Sequence, residues 1–423
     1  MTDTAATPRE RGGLWRHRDF RTFWIGETTS QVGTSVTGIA LPLVAVETLH
    51  ASAFLVTALT AGTWLPWLFL GLPAGGWVDR LPRRRVMLAC DAVSLAALLS
   101  VPIAAWLGAL SVAQLIGVAL LAGSSAVFFR TAYGAYLPSI VDAGDLMEAN
   151  AKLTGSSSAA QVGGPGLGGA IAQLAGAASG LLADAVSFAV SFACLVAIRT
   201  AEAPKLARGE QRSRLGEEIR EGMRFVLADP LLRLMLVFGA SANFFLTGMN
   251  ALEVVFLVRT VRISPGAVGL VFAVVSTGGV LGAVIARRVA RRLGTAGATR
   301  IALLFGTPFA LLLPLTSPGI GLLLWTGGLF IVDGCVVVSN VLTNGFVQTH
   351  VPGHMLGRVG SCLSTVAYSM MPAGALTAGV LGGALGVRGA LWILCAGIAA
   401  SGLFVLSPAM RSLRDFPGTV DER

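Results

Sequence analysis

The sequence predicts an all-α membrane protein, with twelve transmembrane helices in two pseudo-symmetric six-helix bundles. Three observations predict it. Of 423 residues, 54% are hydrophobic and only 13% are charged, and the mean hydropathy is +0.75. A soluble domain of this length needs far more charge to cover its surface. The apolar residues gather into segments near the ~20 residues that span a ~30 Å hydrocarbon core as a helix. Finally, features of the first half recur in the second.

The apolar segments are 21–48, 52–76, 86–108, 112–137, 150–176, 178–199, 232–258, 265–288, 298–316, 318–343, 357–383 and 387–408. Several contain Gly or Pro, which membrane helices tolerate where neighbours satisfy the freed backbone groups. The division that follows is a polar tail (1–20), a six-helix bundle (21–199), a linker (200–230), a second bundle (231–408) and a second tail (409–423). The first tail has no apolar core of a signal peptide, so the first segment is expected to stay as a membrane helix. In the linker, Leu215, Ile219, Met223 and Val226 recur at helical spacing, with Glu217, Glu218, Arg220 and Glu221 between them. That pattern predicts an amphipathic helix on the membrane surface.

Basic residues occupy alternate connections. One set holds Arg80, Arg83, Arg84 and Arg85, the linker cations, Arg287, Arg288, Arg291, Arg292 and Arg358, together with both tails; the other holds only Arg259, Arg262 and Arg388. The positive-inside rule then places both termini in the cytoplasm of a multi-pass protein of the cell inner membrane. The formal charge of +9 sits in short clusters between apolar segments, so nucleic acid is not an expected partner. Cys90, Cys194, Cys335, Cys362 and Cys395 all lie in apolar segments without a CxxC, and read as isolated thiols. His350 and His354 are separated by Pro352 and Gly353, so no metal site is expected there.

The halves echo each other. Gly75 is followed by Asp79, Arg80 and an Arg run, and Gly282, 207 positions later, by Arg287, Arg288, Arg291 and Arg292. Pro165 and Pro372 are separated by the same 207 positions. Asp-Ala-Val-Ser begins at both Asp91 and Asp184, on helices that enter from opposite sides, as inverted three-helix repeats require.

Three motifs carry chemistry. The first is Gly75-Gly76-Trp77-Val78-Asp79-Arg80-Leu81-Pro82-Arg83-Arg84-Arg85, between helices 2 and 3. Gly75 allows close helix approach, and Asp79 at the membrane surface can pair with Arg or accept from a helix N-terminus, making a releasable latch. The second is Gly164-Pro165-Gly166-Leu167-Gly168-Gly169 on helix 5, a small-residue face with a kinking proline. The third is Arg130-Thr131-Ala132-Tyr133-Gly134 on helix 4. The first motif resembles the loop signature of the major facilitator superfamily, with Pro82 where that family usually has Gly. The second resembles the helix 5 signature of its drug:proton antiporters, with Ala151 and Ala160 in place of earlier glycines. The third matches in part, with Tyr133 in the usual Gln position. Phrases such as Phe-Phe-Arg-Thr-Ala at 128–132, Glu-Ala-Asn-Ala-Lys-Leu at 148–153, Asp-Ala-Val-Ser-Phe at 184–188 and Leu-Gly-Arg-Val at 356–359 are similar to the subgroup of enterobactin exporters and macrolide efflux proteins.

Charges at membrane depth mark functional candidates. Glu27 on helix 1, Asp91 on helix 3 and Arg130 on helix 4 share one depth, so Arg130 is expected to pair with Glu27 or Asp91. A carboxylate beside an arginine stays ionised near neutral pH and takes a proton when the arginine is displaced. The second half offers Glu253 near the outer end of its first helix, with Asn243 and Asn250 on that helix, and the deep Asp333. Trp64 and Trp67, in mid-helix, and Tyr133 are candidates to line a cavity for an aromatic or hydrophobic substrate.

The resemblance implies a secondary active transporter. Its expected function is proton-coupled efflux of a hydrophobic or amphiphilic small molecule, such as a drug, antibiotic or siderophore, by alternating access. The alternative on the same fold is an uptake permease for a nutrient or lysolipid. No GxxxxGK[ST], HExxH or GxSxG occurs, so neither an ATP-driven pump nor an enzyme is expected. No cofactor is expected, the proton gradient being the energy source; the partners are a small-molecule substrate and the bilayer, and the chain is expected to be monomeric. Asp79→Asn preserves size and removes charge. It should cut transport while leaving membrane insertion intact, and wild-type efflux at matched expression would reduce the loop to a topological signal.

Overall fold

The computed structural model describes residues 14–78, 80–142, 144–200 and 215–418. Asp79, most of the first tail, the start of the linker and the last five residues lie outside the described residues. The helices are α1 (Arg18–Leu43, prolonged by a π-helical turn Val44–Thr48), α2 (Ala53–Val78), α3 (Arg83–Trp106), α4 (Val112–Ile140), α5 (Leu146–Ala175) and α6 (Ala177–Ala197). They continue with α7 (Leu215–Ala228), α8 (Pro230–Val255, prolonged through Phe256–Val261), α9 (Pro265–Leu293), α10 (Thr295–Gly306, prolonged by the 3-10 segment Thr307–Leu315), α11 (Leu322–His350), α12 (Gly353–Ser401) and the short α13 (Pro408–Arg411). No strand occurs among the described residues.

Ten of these helices are long and apolar enough to cross a membrane on composition alone. α12 is one of the ten but turns back at Gly386 (φ 73°, ψ 160°), so its two arms make two crossings where the sequence shows segments 357–383 and 387–408. α5 falls short because it is built from Gly, Ala and Ser rather than Leu and Val; it crosses wrapped between α1, α6 and α9. Twelve crossings result, six in each half. The turn from fifth to sixth crossing needs Gly in both halves, since Gly176 (φ 85°, ψ 153°) and Gly386 occupy backbone space closed to residues with a Cβ.

The halves share their packing. α1 packs on α5 and α6, and α8 packs on both arms of α12; α2 packs on α4 as α9 does on α11. In each half a cation near the start of the third crossing binds carbonyls at or just beyond the end of the sixth, those of α6 in the first half and of the short α13 in the second. Arg84 donates to the Leu195 and Val196 carbonyls, each at 2.8 Å. Arg300 donates to the Met410 carbonyl at 3.2 Å and the Arg411 carbonyl at 2.5 Å. Helix C-termini carry partial negative charge, so both are favourable places for a guanidinium.

The ends carrying Leu14 and Gly418 define a termini face. There α7 lies against the start of α12, where Arg358 Nη1 donates to Glu221 Oε2 at 2.5 Å, and Val226 is buried against Leu232, Phe346 and Val359. α8 is capped by Asp229, which accepts from the amides of Leu231 (2.8 Å) and Leu232 (3.0 Å). His350 is buried between Asp229 Oδ2 (3.0 Å) and the Gly418 carbonyl (2.7 Å), tying the second tail to this corner. Burial alone would raise the Asp229 carboxyl, but the His350 hydrogen bond and the two amides outweigh it and hold it below its ordinary value.

Among the described residues the two halves make their main contacts toward the far face, opposite the termini, along two seams. In one, α5 meets α9: the Gly266 amide donates to Gln173 Oε1 at 3.2 Å, and a Cβ on Gly169 would stand 2.6 Å from Gly269 Cα. In the other, α2 meets α12: Gly379 lies on Phe54 and Thr57, Ala61 packs on Ala375, and Trp64 stacks on Tyr368 at 6.0 Å. The Val46 carbonyl also accepts from Arg259 at 3.2 Å. Toward the termini the helices separate: side chains added at Gly75 and Gly76 on α2, Gly155 on α5 or Gly360 on α12 would meet nothing within 4 Å. The close approach expected at Gly75 is therefore not made in this conformation, because the cleft between the halves is open there. Its counterpart Gly282 does pack, on Gly334 of α11. Gly169→Leu should hold α5 off α9 and break the far-face seal. Transport in vesicles should fall at least tenfold with normal insertion, and undiminished transport would show the seam to be dispensable.

Candidate functional site

The open cleft ends in an aromatic cluster. Trp64 and Trp67 of α2, 6.5 Å apart, both face Tyr368 of α12, Trp67 at 5.2 Å and Trp64 at 6.0 Å. They lie on the termini side of the α2–α12 contacts at Phe54, Thr57 and Ala61. The Arg130 guanidinium carbon sits 6.0 Å from the Trp67 ring centroid and its side chain is exposed. Tyr133, one turn on, stacks on Phe23 at 5.5 Å and on Phe129 at 6.5 Å. A cation among aromatic faces at the seam of two halves can hold a flat or apolar molecule by stacking and by charge.

Glu27 lies nine residues into α1, Asp91 eight into α3, and Arg130 ten from the end of α4. At 1.5 Å per residue all three stand about 12–15 Å from the termini face, as their positions in sequence imply. The expected direct ion pair is not formed. Glu27 Oε1 instead accepts from Gln31 Nε2 at 2.8 Å, and the Arg130 side chain leans over Trp67. Glu27 and Arg130 still interact electrostatically, and so do Glu27 and Asp91. Asp91 is fully buried, 0% exposed, beside Ser191 of α6, whereas Glu27 keeps partial exposure.

A third carboxylate escaped the sequence reading as a site. Asp184 on α6 is 1% exposed; Thr37 of α1 donates to it at 2.6 Å and the Ser187 hydroxyl lies 2.9 Å away. Its signal was the second Asp-Ala-Val-Ser, which places Asp91 and Asp184 on the adjacent helices α3 and α6. Tyr368 was also missed, since a single aromatic on an apolar helix has no distinguishing spacing.

The helix 5 motif has two faces. Gly164 meets Ser35 of α1, and Gly168 meets Val36, where a Cβ would lie 3.3 Å from Val36 Cα. Gly169 and the Pro165 carbonyl instead face Gly269 of α9, the carbonyl 2.5 Å from where a Gly269 Cβ would stand. The first face is internal to one half; the second is the seam. In the loop motif, Arg83 donates to the Ala135 carbonyl of α4 at 3.2 Å and Arg84 to α6, while the Arg80 side chain is exposed.

In the second half, Glu253 on α8 and Asp333 on α11 interact electrostatically. Asp333 lies against α9, its Oδ2 2.7 Å from where a Gly279 Cβ would stand. Asn243 is spent on its own helix, donating to the Gly239 carbonyl at 2.8 Å, and Asn250 is exposed. No cluster of metal-ligating side chains occurs among the described residues.

Residues 14–416 match the family described as transmembrane secretion effector. The multidrug efflux pump Tap of Mycobacterium tuberculosis is 30% identical over 398 residues, covering 90% of this chain and 91% of its own. The enterobactin exporter EntS of Shigella dysenteriae is 26% identical over 406 residues, covering 93% and 90%. Among solved structures, a bacterial homologue of the iron transporter ferroportin in an inward-facing state superposes with a TM-score of 0.76 at 16% identity, covering 93% of this chain and 99% of its own. The nucleoside transporter NupG gives 0.68 at 12% identity, covering 93% and 99%. These two share the fold. With the family match running through both halves and both seams, the chain belongs to the transmembrane secretion effector family, a group of major facilitator superfamily efflux transporters.

Proposed function

We propose that the protein exports a hydrophobic or amphiphilic small molecule from the cytoplasm across the inner membrane, by alternating access coupled to protons. The observation that carries this reading is the one-sided closure: the halves seal at the far face and part at the termini face, ending on Trp64, Trp67, Tyr368 and Arg130. The distribution of Lys and Arg supports a cytoplasmic termini face, so the cleft is an inward-facing one that loads from inside. The aromatic cluster with one exposed cation suits a substrate with a flat apolar body and an acceptor or anionic group. The names of Tap and EntS support export rather than uptake.

Proton coupling rests on Glu27 and Arg130. They share one depth, and Glu27 keeps partial exposure. When Arg130 is drawn to a substrate or moves as the cleft closes, a proton can replace it as the counter-charge of Glu27. Glu27→Gln should abolish uphill efflux from energised vesicles while keeping downhill exchange. Asp91→Asn, buried away from the cleft, should weaken transport less. If both variants pump against a gradient as well as wild type, the proton site lies elsewhere, with Asp333 the next carboxylate to replace. A wild-type protein that accumulates the compound in the direction opposite to export would overturn the export reading.

A further inference from the structure

α1 and α5 touch at Gly164 and Gly168, then diverge toward the termini face. The divergence leaves a wedge of about 450 Å³. Val32 on α1 and Ser156, Ala160 and Gly163 on α5 give it small, mostly apolar walls. Its mouth is of different chemistry. Lys152 Nζ sits 4.5 Å from the Trp15 ring centroid, and Trp15 stands edge-on to Trp24 at 4.8 Å. The side chains of Arg16 and Arg18 are exposed at the same level. Lys152 pairs with Glu148 at 3.3 Å, but that carboxylate's side chain is 48% exposed, so water screens it. In the wall, the Trp24 indole N–H and the Thr28 hydroxyl are buried with no hydrogen-bond partner among the described residues.

We propose that this wedge binds one anionic phospholipid from the leaflet on the termini side, its acyl chain between α1 and α5 and its headgroup at Lys152 and Trp15. The dimensions fit. From Lys152 to Gly164 the helix rises about 18 Å at 1.5 Å per residue, close to half of a ~30 Å hydrocarbon core. Tryptophan and lysine at the mouth stand where interfacial aromatic and basic residues meet headgroups. The ester oxygens of a lipid are acceptors, and the wall presents two groups able to donate. A transport site is lined by both halves so that it can open to either side, whereas every wall of this wedge belongs to the first half. That separates the wedge from the aromatic cluster at the seam.

The test is native mass spectrometry of the full chain released from nanodiscs of phosphatidylcholine with an equal amount of phosphatidylglycerol. Wild type should retain phosphatidylglycerol preferentially. Lys152→Gln removes about 1 kcal/mol of headgroup attraction, so occupancy should fall about five-fold. Ala159→Phe, which fills the wedge from an exposed position, should exclude the lipid while thermal unfolding in phosphatidylcholine alone stays within a few degrees of wild type. Equal retention of the two lipids by wild type, or undiminished phosphatidylglycerol in both variants, would overturn the proposal. So would displacement of the lipid from the wedge by an exported compound, because the wedge would then belong to the transport path.

Discussion

In hydrocarbon no hydrophobic force draws one helix to another, so helices associate where their backbones can come close and fill the space between them. That constraint governs this molecule at one place above others, the contact of Gly169 with Gly269. There two helices from different halves approach so closely that neither can carry a Cβ. The opposite side of α5 is fastened to α1 through Gly164 and Gly168. One helix thus carries a contact within its own half and a contact with the other half on adjacent stripes of small residues. The composition that makes this possible also makes α5 the least apolar of the crossings in the first half, and it crosses the bilayer packed between α1, α6 and α9.

The duplication supplies the symmetry that such a device needs. Gly176 and Gly386 make the same tight turn in each half, Arg84 fastens the third crossing to the end of α6, and Arg300 fastens its counterpart to α13, just beyond the last crossing. These contacts lie inside each half. The links between halves are of another kind: small-residue approaches, one arginine on a carbonyl, an amide on Gln173 and an aromatic stack. No ion pair between the halves occurs among the described residues of the far-face seams. Contacts of this sort separate without leaving a charge unpaired in lipid, which would be costly.

Much of the fold was legible in the sequence because lipid imposes a simple rule, that about 20 apolar residues make a span. Twelve segments were visible on that rule; by composition alone the helices of the structure count as ten spans, because α5 is rich in Gly, Ala and Ser and α12 runs through the turn at Gly386. The helix 5 motif was legible as a packing surface, but not that its glycines divide between two partners, since that depends on which helix lies beside each stripe. The depth of Glu27, Asp91 and Arg130 could be counted from helix ends. Their pairing could not, because side-chain direction around a helix decides it, and Gln31, one turn from Glu27, competes for the same oxygen. Asp184 was visible as a repeated phrase and unreadable as a site until Thr37 and Ser187 were seen to surround it. Tyr368 gains its meaning only from two tryptophans some three hundred positions away.

The conformation itself explains why Arg130 has no carboxylate in contact. On insertion scales an arginine at the bilayer centre costs about 2.5–3.5 kcal/mol, yet here its side chain is exposed in an open cleft, where water and the Trp67 face meet that cost. In the proposed transport cycle, closing the cleft at the termini face would remove that water and leave the guanidinium two courses: a substrate anion or a carboxylate at its own depth. Asp91 and Asp184 are already enclosed by Ser191, Thr37 and Ser187, and reaching them would require α3 or α1 to part from α6. Glu27, partly exposed and held only by Gln31, is the carboxylate whose bonds can be exchanged without disturbing the packing of its half. In the proposed mechanism, substrate and Glu27 compete for one cation, and a proton on Glu27 leaves Arg130 to the substrate.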